Sequence, residues 1–138
     1  NELHQHNVGL PGQYYDSILS KSKLHTIFAA PHDINKVWNN VAYVNEIYDT
    51  AGADVYNETM SRMRFWNNYQ DTGIVNLAPN VNIKRRMRTW RAHIPRETDK
   101  ALSRMRNPWL ECLLEYDNTE GKRHVLHDII YSFTPARM

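Results

Sequence analysis

Cysteine is almost missing from this chain. Cys112 is the one thiol in 138 residues, which excludes an internal disulfide and points to a reducing compartment. A core built from a chain of this length holds without a disulfide. Glycine and proline are also scarce, at five and six residues, and that speaks against a turn-rich all-β protein. There is no apolar run long enough to span a bilayer as a helix. No signal peptide is visible, and a chain that does not start with Met leaves a cleaved leader open. A nucleophile elbow, a Gly-rich phosphate loop and a zincin motif are all lacking. No residue pattern signals catalysis, so the expectation is a protein that is not an enzyme and carries neither metal nor cofactor.

What is present suits one packed domain. Apolar residues make up 41% of the chain, enough for a single core over residues 1–138. Residues 1–9 read as a loosely held start and 109–138 as a C-terminal extension. The net charge is only +2, but it is unevenly spread. Before Met60 the cations are Lys21, Lys23 and Lys36, against seven carboxylates; from Met60 to Asn107 eleven cations face three carboxylates. A basic pole and an acidic pole suit oriented docking on an anionic surface.

The basic pole centres on Ile83–Trp109. At 100° per residue Ile83, Met87, Trp90 and Ile94 fall on one helical stripe, with Lys84, Arg88 and Arg91 on one side and Arg85 further round. A second helix from about Arg96 to Arg106 turns Ala101, Leu102 and Met105 inward and Arg104 and Arg106 outward. The short His93–Pro95 connection then makes an antiparallel helical hairpin. Lys84, Arg85, Arg86, Arg88, Arg91, Arg104 and Arg106 are the candidate surface-binding cations. The plain alternative is a set of solvated faces.

The same periodicity predicts a first helix from Pro11 to about Ala30. It predicts a long second one from an N-cap at Asp33, with Ile34, Val37, Trp38, Val41, Val44, Tyr48, Val55, Met63 and Trp66 on one face. Tyr43, Ile47 and Phe65 lie on its opposite side, either sandwiched in a bundle or exposed as an interaction patch. The segments around DNTEGK read as a hairpin or as two short helices. The fold expected is all-α, an up-and-down bundle of about five helices, with the C-terminal segment open.

Other candidates are weaker. His124 and His127, with Glu120 and Asp128 nearby, have a metal-like spacing, but no cysteine cluster supports it. Glu111 and Glu115 would share a helix face, as surface carboxylates commonly do. Asn57-Glu58-Thr59 is a glycosylation sequon that matters only in a secreted chain. Cys112, among leucines, reads as a small buried hydrophobe. Arg-rich helices with Trp90 and Trp109 could meet nucleic acid, but no recognition module matches, so nucleic acid is not the partner expected.

Val44-Asn45 with Tyr48, then Arg85-Arg86, Ile94-Pro95 and Arg104-Met105-Arg106 before Pro108, resemble in order and spacing the abalone sperm lysin family. The resemblance covers roughly Asp33 to Pro108. It implies a secreted, non-enzymatic helical bundle of the sperm acrosomal vesicle, with Arg85, Arg86, Arg104 and Arg106 at the family's cationic positions. The modest net charge, the stretch YDTAGADVYNET and the longer tail depart from lysin toward its fusion-promoting paralogue. The expected function is therefore membrane fusion in fertilization, through an anionic lipid surface of the egg plasma membrane. Tyr43, Ile47, Phe65, Tyr69 and Trp109 are the membrane-contact candidates. The alternative is stoichiometric binding of an egg-coat glycoprotein, and a monomer is favoured.

Overall fold

The computed structural model describes residues 13–14, 18–19, 21–31, 33–98 and 103–136. Among them there is no helix. The chain runs β1 (Gln13–Tyr14), β2 (Ile18–Leu19), β3 (Ser22–Phe28), β4 (Lys36–Tyr48), β5 (Arg62–Trp66), β6 (Val75–Asn76), β7 (Ile83–Arg86), β8 (Thr89–His93), β9 (Arg106–Asn107), β10 (Leu110–Tyr116) and β11 (Arg123–Pro135). β1 and β2 form a small antiparallel ribbon. The others make two antiparallel sheets, one ordered β3-β10-β5-β6 and one ordered β11-β4-β8-β7, with β9 also on β4. Their inner faces share one core, to which Phe28, Met63, Phe65, Leu110, Cys112 and Leu114 come from the first sheet and Trp38, Val41, Tyr43, Ile47, Ile83 and Trp90 from the second. This is a two-layer β architecture.

β10 shows why the chain pairs rather than coils. In LECLLEY the residues Leu110, Cys112, Leu114 and Tyr116 are buried, while Glu111, Leu113 and Glu115 face out, a strict period of two. Glu111 and Glu115 therefore share a sheet face, not a helix face. DNTEGK joins β10 to β11, which lie in different sheets. It is thus neither a hairpin nor a helix connection.

β4 explains how helical spacing was imitated. Lys36 and Trp38 face the core, and so do Val41, Tyr43, Asn45 and Ile47. Between the two sets the register against β11 steps from Trp38↔Phe133 to Asn40↔Ser132, so Asn39 is an extra residue, a β-bulge. Two alternating runs joined by a bulge put Trp38 and Val41 three apart, as a helix would. A second bulge at His127 turns β11 over, so that Leu126 and then Ile129, Tyr131 and Phe133 pack on the core. β-branched and aromatic side chains fill both strands, which is strand composition.

The predicted helical bundle is thus overturned. The supposed second helix is β4, a turn and β5. Gly52, read as an interruption, is a turn residue at φ 86. The scarcity of glycine misled because other residues take the left-handed positions, with φ of 65 at Asn80, 51 at Met87 and 68 at Arg88. The start at 1–9, with His4 and His6, and the inward positions Ala101 and Leu102 lie outside the described residues.

One buried charge pins the start of β4. Lys36 is fully buried, and its Nζ donates to the carbonyls of Ala29 (3.1 Å), Ile34 (3.1 Å), Pro108 (2.8 Å) and Pro31. It also lies over the rings of Trp38 and Phe133, at 5.6 and 5.3 Å. Burial lowers its pKa from the ordinary 10.5, with Asp33 opposing. The ammonium ties two distant segments of chain to one strand end.

Candidate functional site

β7 and β8 form a hairpin at one edge of the five-stranded sheet, paired Ile83↔Ala92, Lys84↔Arg91, Arg85↔Trp90 and Arg86↔Thr89. The loop is two residues, Met87-Arg88, both at positive φ, the backbone of a type I′ turn. Asn-Gly is the sequence such a turn favours, because bulky residues at positive φ are strained there. Here the tip instead presents a Met that is 90% exposed and an Arg.

Ile83, Trp90 and Ala92 anchor the hairpin in the core, at 1%, 3% and 3% exposure. Lys84, Arg86 and Arg91 point the other way, Arg85 is exposed in register with Trp90, and Arg88 sits at the tip. Lys84 stands directly opposite Arg91, a like-charge cross-strand pair that weakens a sheet. Across β8, Arg91 pairs with Ala42 and His93 with Asn40, both uncharged neighbours on β4. Lys84, Arg85, Arg86 and Arg91 make no ion pair with any described residue. Arg88 lies near Glu46, whose carboxyl is held below its ordinary pKa by the Tyr48 hydroxyl first and by His127 next. A groove of about 760 Å³ runs along this side, with Lys84, Arg86, Arg91 and His93 in its wall and Val81 and Met87 at its rim.

The other sheet's outer face is arranged differently. Glu115 on β10 sits in register between Lys23 on β3 and Arg62 on β5, at 3.8 and 3.0 Å. Arg62 also grips Asp117 at 2.5 Å through both oxygens. His25 meets Glu111 at 3.2 Å, and Arg64 pairs with Asp71. The Arg62 guanidinium holds the Asp117 carboxyl below its usual range, and Arg64 does the same for Asp71. Next to this face a polar cleft of about 550 Å³ is walled by Glu58, Arg62, Tyr116, Asp117 and Lys122. Its charges are also matched: Lys122 reaches Glu58 at 2.5 Å and Glu120 at 3.3 Å. Sequence reasoning missed this cleft, because its walls come from loops separated by some fifty residues that only the sheet pairing brings together.

The seven candidate cations do not form one cluster. Lys84, Arg85, Arg86, Arg88 and Arg91 share the hairpin. Arg106, on β9, lies further along the same edge of β4, opposite Val37, and Arg104 donates to Asn39 Oδ1 at 3.2 Å. The membrane-contact set divides as well. Tyr43, Ile47 and Phe65 are core residues at 1%, 1% and 0% exposure and can touch no outside partner. Tyr69 is 70% exposed on a loop, and Trp109 is half-buried before β10. His124 and His127 do not converge. His124 stacks inward on Tyr116 with centroids 4.9 Å apart, whereas His127 sits at the bulge 3.3 Å from Glu46. Burial lowers the His124 pKa, and its Nε2 has no hydrogen-bond partner.

Comparison with known proteins replaces the gamete reading. The chain is 30% identical over 106 residues to the muzzle protein of Bacteroides phage crAss001, covering 75% of this chain and 8% of that protein. The chain thus spans under a tenth of the length of the curated relative it matches. The lysin resemblance rested on dipeptides and tripeptides, and Val44-Asn45, Arg85-Arg86 and Arg106 lie on strands rather than helices. With it fall the acrosomal location, the fusion and egg-coat functions, and the egg membrane and lipid partners. The family model for the Crassvirus muzzle protein C-terminal domain matches residues 9–97, and the chain belongs to that family.

Proposed function

We propose that this chain is a non-enzymatic docking module within a larger phage particle protein, and that it contacts a neighbouring component through the basic side of the β7–β8 hairpin. The observation that carries the reading is the set of cations Lys84, Arg86 and Arg91, held on one face of a core-anchored hairpin with no acid from the described fold to balance them. Family membership supports the particle context, since the named relative is a phage muzzle protein.

Quantitative mass spectrometry of purified particles tests the reading. Peptides of this chain are expected at a fixed copy number relative to the other particle proteins. Their absence from particles, with the chain present in infected cells, would refute it.

A further inference from the structure

The unbalanced hairpin raises the question of what balances it. We infer that the groove along β7–β8 receives an extended, acid-rich segment of a neighbouring protein chain in the particle; this rests on the docking reading above. The first support is the contrast between the two sheets. On the four-stranded sheet the central strand β10 supplies Glu115 to cations on both flanks, Lys23 and Arg62, and Glu111 to His25. On the five-stranded sheet the corresponding neighbours of Arg91 and His93 are Ala42 and Asn40. Among the described residues no carboxylate stands beside Lys84, Arg86 or Arg91, and a partner strand is the element that would supply one.

Spacing favours an extended peptide. Lys84 and Arg86 are alternate residues of one strand, so they stand about 7 Å apart. Acids at alternate positions of an extended segment repeat at the same interval. Arg91, opposite Lys84, adds a third cation from the neighbouring strand. Arg presents a planar fork that matches a carboxylate with two hydrogen bonds. Val81 and Met87, 80% and 90% exposed at the rim, offer apolar contact. Met and Arg are enriched at protein–protein interfaces.

Two other occupants fit less well. A second copy of this domain fits less well because most of its acids among the described residues are engaged at home. Glu115 and Asp117 hold cations, Glu111 meets His25, Asp49 caps the turn at Ala51 and Ala53, and Asp128 accepts from the amide of Ile129. Single-stranded nucleic acid draws much of its affinity from bases stacked on aromatic rings. The groove wall contains no Phe, Tyr or Trp, and the Trp90 ring is turned into the core.

The test uses intact particles. A carbodiimide joins an amine directly to a carboxylate in contact with it, and Lys84 is the one lysine of the hairpin. Cross-linking followed by mass spectrometry is expected to join Lys84 to an Asp or Glu of another chain. In particles carrying Arg86→Glu with Arg91→Glu, which keeps Lys84, the yield of that cross-link is expected to fall at least tenfold. Both positions are exposed, and a thermal melt of the purified variant checks the fold. Particles that contain this chain but link Lys84 only within the domain, or not at all, would overturn the inference while leaving the particle assignment standing. Ultraviolet cross-linking of the hairpin peptide to nucleic acid instead would overturn it in favour of a nucleic-acid partner. Absence of the chain from particles would sink the underlying reading first.

Discussion

Replacing Lys36 by Met tests whether the buried ammonium holds the sandwich together. Met keeps the length and the apolar stem but removes the charge and the donors. Four carbonyls converge on Nζ, those of Ala29, Pro31, Ile34 and Pro108, and an ammonium has three hydrogens to give them. Hydrogen bonds from a charged donor contribute about 1.5 kcal/mol or more each, and the orphaned carbonyls then go without a partner. Against this, the variant no longer keeps a charge out of water, which returns a kcal/mol or two. The expected net loss is about 3 kcal/mol. For a chain of this size that is a fall of about 10 °C in melting temperature. Urea unfolding of wild type and Lys36→Met, followed by Trp fluorescence, measures it, since Trp38 lies beside the site. A variant within about 1 kcal/mol of wild type, or more stable, would show that the carbonyl cluster does not need the charge.

Four further outcomes follow from the same geometry. Met87→Asn with Arg88→Gly restores the preferred type I′ sequence and should stabilise the domain by about 1 kcal/mol in denaturant melts, while lowering the Lys84 cross-link yield in particles. Asp117 and Asp71 have pKa values below the ordinary 3.8 in the folded state, so their stabilisation is full above that value and lost as pH falls through the folded values. Asp117→Asn should therefore flatten the acid limb of the melting curve, and an unchanged limb would contradict the pairing with Arg62. His124 is held neutral by burial below its ordinary 6.5, so protons bind the unfolded chain first and stability should drop as pH falls from 6.5; His124→Phe, which keeps a ring on Tyr116, should remove that drop. Cys112 is buried with its thiol pushed up to about 12, so a thiol reagent should label it only on unfolding.

Part of this was legible in the chain and part was not. That Ile83 and Trp90 face inward while Lys84 and Arg91 face outward can be read at either a helical or a strand period, because these residues satisfy both. The difference lies at Met87, which a helix turns inward and the hairpin exposes at its tip. No Asn-Gly marks the turn, so the strongest local hairpin signal was missing. The bulges at Asn39 and His127 broke the alternation of the two longest strands into spacings that resemble a helix. Where no bulge intervenes, as in LECLLEY, the period of two stands in plain view and marks a strand. The dense β-branched and aromatic content of Lys36–Tyr48 was the better guide. The buried site of Lys36 and the ion-pair rows of the four-stranded sheet depend on residues far apart in sequence. No local pattern marks them.

In the assembled particle the basic hairpin of this β-sandwich domain is expected to be covered by a neighbouring chain. A cryo-electron microscopy reconstruction of the particle, with this domain resolved, tests that most directly. Density of a neighbouring chain lying along Lys84, Arg86 and Arg91, with carboxylates within salt-bridge distance, is the predicted result. A resolved domain whose hairpin projects into empty solvent would contradict it.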